Sequence, residues 1–325
     1  MSSNVPEAYW NALLRFAAQV GADDPVNNRT TQFRQLSEED KSFLQKALKE
    51  YVKNNDPIEL LKKNLNDLLH ADFHSDNVQE VSKCLESLDA ICELCSDADV
   101  ANDFHKLGGY RILVPMLASP KAEFRTGAAG LIGELAQNNP YSQQKLFESG
   151  MLKVLMEMLD KDISSACRAK ALYGISALVR GDDKVEAEFI ASDGLYYLVK
   201  ALDSDDSKLP TKAAFLLQYL FHRSEEHRET AFNMGMADQL LKLLVSSNDQ
   251  VREIASLALV KLAAESPSSP VVKTLAENGG SQILEDNIRL HSEDEACKEE
   301  IDYCKQLLRL VQEYSSAPLP TVPDR

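Results

Sequence analysis

Two short strings hold residue types that can do chemistry at close spacing. Cys92-Glu93-Leu94-Cys95 is a CxxC, the spacing of half a zinc site or of a redox dithiol. A structural zinc needs a second ligand pair nearby, and a redox pair belongs beside a strand in a βαβ unit. Neither accompanies this one, and two half-buried helix cysteines account for it. His70 and His74 stand four apart, with Asp72 between them and Asp76 just beyond, a conceivable set of metal ligands. They fall where a helix runs into a loop, a place where polar residues gather without any ion. Gly127, Gly130 and Gly133 recur every third residue inside a helical pattern with no strand before them, so they are not a phosphate-cradling GxGxxG. Small residues there let neighbouring helices come close. The sequence holds no G-x-S-x-G, H-E-x-x-H or P-loop string. The expectation is a protein that is not an enzyme and carries no metal or cofactor.

The 325 residues include 51 Asp and Glu against 35 Lys and Arg, a formal charge of −16. That surface repels phosphate backbones and anionic lipid, so neither nucleic acid nor membrane is an expected partner. With 13 glycines and one tryptophan, an all-β fold rich in tight turns is disfavoured. Six cysteines in a chain of this length do not form a disulfide framework, and reduced thiols are expected. The first residues, Met1 to Glu7, lack the basic start and apolar run of a secretory signal. No stretch approaches the ~18 consecutive apolar residues of a membrane span. Cytoplasmic residence is the expectation, with the nucleus as an additional site.

A repeat organises the chain. Gly109, Gly150, Gly194, Gly235 and Gly279 each precede an apolar helical run, at spacings of 41, 44, 41 and 44 residues. This is the ~40–47 residue period of HEAT and armadillo units. Each unit reads as three helices: a short one ending at the glycine, a second after it, and a longer third. The third helices span Arg125 to Ala136, Arg168 to Val179, Thr211 to Phe221 and Arg252 to Ala263, with Leu135, Leu178, Leu220 and Leu262 in equivalent places. The fold class is therefore all-α, a right-handed armadillo-repeat solenoid with helical caps.

Residues 76–314 form the solenoid of four full repeats, closed by capping helices over Val78 to Cys95 and Ala296 to Val311. Residues 36–75 form a helical extension, with helices over Glu38 to Tyr51 and Asp56 to Leu69. Residues 1–35 read as a flexible segment containing a short apolar helix, and 315–325 as a proline-rich tail. Solenoid ends that are capped favour a monomer.

In armadillo solenoids the third helices line the concave surface. Many carry on each third helix a Trp and, four residues later, an Asn that clamps the backbone of an extended peptide. Here the Asn positions hold Glu134, Ala177, Tyr219 and Lys261, and the Trp positions hold Gly130, Tyr173, Phe215 and Leu257. No amide ladder exists. Tyr173, Phe215 and Tyr219 instead form an aromatic cluster, with Lys170, Arg180, Lys212 and Arg223 a turn or two away. Rings and cations together are the chemistry of protein–protein hot spots. The competing reading packs some of these rings into the core between helices.

Four strings then resemble one family: 101–109 (Ala-Asn-Asp-Phe-His-Lys-Leu-Gly-Gly), 137–143 (Gln-Asn-Asn-Pro-Tyr-Ser-Gln), 170–181 around Tyr173 and 212–220 around Phe215. They resemble the Hsp70-binding-protein family of armadillo nucleotide exchange factors, in its cytosolic branch. The resemblance implies a concave face that grips the ATPase domain of an Hsp70 chaperone, opens its nucleotide cleft, and promotes release of ADP and client. The matching residues are Tyr173, Arg180, Lys212, Phe215 and Tyr219, with Glu134 and Gln137 at the rim. It also implies an N-terminal segment that mimics unfolded substrate at the chaperone's peptide-binding domain. Trp10, Leu13, Leu14 and Phe16 would supply it, unless they dock as an amphipathic helix on the solenoid's end. Pro210 departs from the pattern, standing where other units have Arg125, Arg168 and Arg252, and a reset start of that third helix is the expected consequence. The alternative function is an armadillo adaptor that binds other proteins without affecting exchange.

Overall fold

The structure, a computed structural model, describes residues 42, 45, 46, 56–204, 206 and 208–316. Contacts divide the chain into two compact units, Met1–Asp56 and Pro57–Arg325. Of the first, only residues 42, 45 and 46, all helical, and the non-helical Asp56 are described. The segment around Trp10, Leu13, Leu14 and Phe16, most of the helix expected at Glu38 to Tyr51, and the tail beyond Ser316 lie outside the described residues.

The second unit opens with α1 (Pro57–Leu69) and α2 (Val78–Leu94), and α1 packs along α2. Triplets of helices follow. The first is α3 (Ala98–Lys106), a 3-10 turn at Gly109–Ile112 running into α4 (Leu113–Leu117), and α5 (Ala122–Ala136). The next is α6 (Pro140–Glu148), α7 (Met151–Lys161) and α8 (Ser165–Val179). Then come α9 (Asp183–Ala191), α10 (Gly194–Leu202) and α11 (Lys208–Arg223). The fourth holds α12 (Glu225–Asn233), α13 (Met236–Leu243) and α14 (Asp249–Leu262). The closing segment is built the same way, with α15 (Pro270–Glu277), α16 (Gly280–His291) and α17 (Lys298–Ser316). Helix α17 thus occupies the place of a third helix, and its last two residues are Ser315 and Ser316.

Local chemistry sets the start of each triplet. Asp97, Asn139, Asp182, Ser224 and Ser269 precede the first helices, and each side chain accepts a hydrogen bond from an N–H in the first turn. Such caps are worth about 1 kcal/mol each, because they satisfy donors the helix cannot. The sharp corner between first and second helices uses a left-handed residue at Gly108, Gly150, Asp193, Gly235 and Gly279, spaced by 42, 43, 42 and 44 residues. Two of the glycines expected at that corner, Gly109 and Gly194, sit one residue after it. Their role is steric: a Cβ would fall 2.4 Å from the Phe104 ring and 2.5 Å from that of Phe189. In the sequence, paired residues Gly108-Gly109 and Asp193-Gly194 blur which one turns the chain.

The third helices begin three residues before the positions read from the sequence, because the apolar stripe starts later than the cap. Ser164 and Asn248 supply the caps of α8 and α14. Pro210 consequently lies in the first turn of α11, where its missing N–H is not needed, and the helix start is not reset. What Pro210 removes is a latch. Arg125, Arg168 and Arg252 each donate from Nη1 to the carbonyl six residues back, at 2.9, 3.2 and 3.0 Å. Arg125 also grips Asp162 with two hydrogen bonds of 2.7 and 2.9 Å, tying one unit to the next.

Burial alone would push the Asp162 carboxyl up, but the hydrogen bonds from Arg125 and the Ser164 N–H outweigh it and hold it below the usual carboxylate range. A depressed folded-state value stabilises the fold fully above the unfolded value of ~3.9 and loses that contribution as pH falls through the lowered value. Acid unfolding below about pH 4 should therefore be shallower in Asp162→Asn than in the parent. Denaturant titrations at stepped pH measure it, and parallel pH profiles would refute the assignment.

Helices α2, α5, α8, α11, α14 and α17 pack in succession, forming one continuous row. Phe104, Phe124, Phe189 and Phe221 are fully buried behind it. Among the described residues no helix is long and apolar enough to cross a membrane.

Candidate protein-binding face

The expected site residues meet on this row. A groove of about 740 Å³ is lined by Gln137, Tyr173, Arg180, Lys212, Phe215 and Tyr219, on α8, α11 and the end of α5. Glu134 lies outside its lining, in a neighbouring groove of about 580 Å³ with Asp89, Cys92, Glu123 and Lys170. It still reaches the site through Tyr173. The Tyr173 hydroxyl lies 2.8 Å from Gln137 Oε1 and 3.1 Å from Glu134 Oε1.

Phe215 stands on the surface, whereas Tyr219 packs in part against the core, as the competing reading has it for some of the rings. Phe215 is 37% exposed, and Tyr173 and Tyr219 are half-buried. The seat of Tyr173 is built by the glycine stripe. A Cβ at Gly133 would fall 2.3 Å from the Tyr173 ring, and one at Gly127 would fall 2.2 Å from Leu88. So α8 and α2 both lie close against α5, as the stripe of small residues implied.

Each ring carries cations. Lys170 Nζ and Lys212 Nζ each stand 5.3 Å from the Tyr173 centroid. The Arg180 guanidinium is 4.7 Å from that of Phe215 and 5.8 Å from that of Tyr219, whose other neighbour is Arg223 at 5.6 Å. The Tyr219 hydroxyl accepts a 3.2 Å hydrogen bond from the Gly181 N–H. Arg223 is further held by Glu186 at 2.8 Å and by Asp183. Burial, with Lys170 and Lys208 nearby, lowers the Lys212 ammonium from its ordinary value. Burial and the Glu134 carboxylate push the Tyr173 phenol up. Cation–ring contacts of this kind are worth about 0.5–2 kcal/mol and hold the side chains in place before any partner arrives.

Two lining residues on α14, Gln250 and Ile254, were not anticipated. Ile254 stands two after Arg252, as Lys170 stands two after Arg168, so alignment of the repeats held the signal. A change from cation to isoleucine at that register hid it.

The other candidates do not assemble into sites. Burial pushes the Cys92 and Cys95 thiols up to about 12, far from the thiolate that zinc or redox chemistry uses. His70 and His74 are exposed, with His70 Nδ1 2.8 Å from its own helix's Asn66 carbonyl. Among the described residues, Asp249, Asp294 and Cys297 gather closely enough to hold an ion. Arg252 already fills that spot, 2.7 Å from Asp249 and 3.8 Å from the Cys297 sulfur.

A helical solenoid of glycine-cornered triplets, with rings and cations where amide clamps would stand, defines an armadillo-type protein-binding module. Residues 100–195 match the SIL1/FES1/HPBP1 C-terminal domain family. Hsp70-binding protein 1 of Rattus norvegicus is 30% identical over 303 residues, covering 91% of this chain and 84% of the relative. The chain belongs to the Hsp70-binding protein 1 family. The Hsp70 nucleotide exchange factor FES1 of Mycosarcoma maydis is 29% identical over 136 residues, 42% of this chain and 35% of the relative. The designed armadillo repeat protein YIII(Dq)4CqI shares the fold at a TM-score of 0.61 and 23% identity, covering 77% of this chain and 99% of its own.

Proposed function

We propose that the protein is a nucleotide exchange factor for cytosolic Hsp70 chaperones, acting without catalysis of its own. Its third-helix face takes the chaperone's ATPase domain and promotes release of ADP and client. Family membership supports this reading, as does the likeness to an Hsp70 nucleotide exchange factor. The observation that carries it is the groove itself: preorganised rings and cations, with no Asn ladder to clamp an extended peptide.

The physics is linkage. A partner that binds the open, nucleotide-free shape more tightly than the closed one lowers nucleotide affinity by the same factor. Coupling of ~1–3 kcal/mol corresponds to about 5–150-fold. Mixing the protein with an Hsp70 preloaded with fluorescent ADP should therefore accelerate release in a saturable manner. An unchanged rate despite complex formation would make the protein an adaptor instead.

A further inference from the structure

We infer that this face recognises a carboxylate-bearing patch on a folded partner, oriented by a reversal of charge along the row of third helices. The inference rests on the exchange-factor reading and specifies the chemistry of the surface received.

The protein is strongly acidic, and about half of its described lysines and arginines are ion-paired, Lys62, Lys83, Lys106, Lys121, Lys145 and Lys161 among them, with acidic partners within 4.0 Å. What sets Lys170, Arg180 and Lys212 apart is that, with no carboxylate within 4.0 Å among the described residues, they gather on the rings of one face, Lys170 and Lys212 both against Tyr173. Two ammoniums around one ring, with a guanidinium one groove-width away, repel one another on the free protein. An incoming carboxylate patch relieves that repulsion, and an apolar or neutral patch does not.

The sign changes one helix away. Asp89 on α2 and Glu123 and Glu134 on α5 line the adjoining groove, and Lys170 on α8 marks its far side. Packed helices lie roughly 8–10 Å apart, so acidic and basic layers are separated by about one helix diameter. A partner with basic groups opposite α2 and α5, and acidic ones opposite α8 and α11, fits in one orientation only. The missing amide clamps argue against an extended acidic peptide. Of Glu134, Ala177, Tyr219 and Lys261, only the Tyr219 hydroxyl can both donate and accept, so the row cannot pair the N–H and C=O groups of a strand in succession.

The test uses the full-length protein and a full-length Hsp70, with stopped-flow association and ADP release read together. The association rate is expected to fall about tenfold between 50 and 300 mM salt, as for any electrostatically steered encounter. Lys170→Glu with Lys212→Glu should weaken binding about 100-fold. Lys170→Gln with Lys212→Gln should weaken it less and flatten the salt dependence. Asp89→Lys with Glu123→Lys should also weaken it, by opposing the partner's basic groups. Indifference to salt and to lysine reversal, while Tyr173→Ala with Phe215→Ala still abolishes binding, overturns the charge inference and leaves the face intact. Indifference to every one of these variants overturns the exchange-factor face itself. Tighter binding by the Asp89 and Glu123 reversal overturns the orientation. An oligoglutamate peptide that binds as tightly as the chaperone overturns the folded-patch conclusion. Helical circular dichroism of each variant establishes that loss of binding is not loss of fold.

Discussion

Arg252→Met is expected to destabilise the protein by about 3–5 kcal/mol, the largest loss from any single substitution considered. Arg252 and Glu300 are 2% and 1% exposed, and the carboxylate takes hydrogen bonds of 2.8 and 3.1 Å from the guanidinium. Removing the arginine strands an anion between α14 and α17, where solvent cannot reach it. Glu300→Leu should cost less, because Arg252 keeps its bonds to Asp249 and the Ser246 carbonyl. The double variant should recover most of the loss, since a buried pair replaced by apolar side chains is often close to neutral. Such a cycle separates the cost of stranding a charge from the net worth of the pair. Chemical denaturation followed by circular dichroism measures all three. Additive losses in the double variant would show that the two residues act separately. Solenoid stability is a sum of units and interfaces, so melting should start at α17. ADP release in the cold, which the proposed reading assigns to α8 and α11, should survive.

That pair also shows what was legible in the sequence. The period was, because each unit must repeat the same corner and the same buried leucine. The third-helix face followed, since a register of five and nine residues past each arginine predicts which side chains point out together. Tyr173, Phe215 and Tyr219 were found that way. Their partners were not. Arg252 reads as one more repeat arginine, yet Glu300 lies 48 positions away, and only packing of α14 on α17 brings them together. Likewise, Gly133 reads as a small residue and not as the seat of Tyr173, because the contact crosses between units. Even the second grip of Arg125 is on Asp162, which belongs to the next unit and looks like an ordinary loop acid. Periodicity reports faces; it does not report which side chain on the next helix completes them.

Tyr173→Ala with Phe215→Ala is expected to raise the concentration needed for half-maximal ADP release by about 100-fold or more, as hot-spot truncations each cost ~2 kcal/mol or more. The two should not add independently, because Lys212 stacks on Tyr173 and lies one turn before Phe215 on α11. Tyr173→Phe isolates the hydroxyl. It keeps the ring on Gly133 and both ammoniums, and frees Glu134 and Gln137, so a much smaller effect is expected. The shape of the saturation curve then tells which state the rings touch. If they grip open and closed chaperone equally, half-saturation moves and the maximal release rate stays. If they touch only the open form, the maximal rate falls as well, since acceleration comes from differential affinity alone. If, as the proposed reading has it, the groove lies against one lobe of a hinged partner, it contacts a surface present in both shapes, and the first pattern is expected for Tyr173. Wild-type half-saturation in the double variant would mean that exchange is driven from another face.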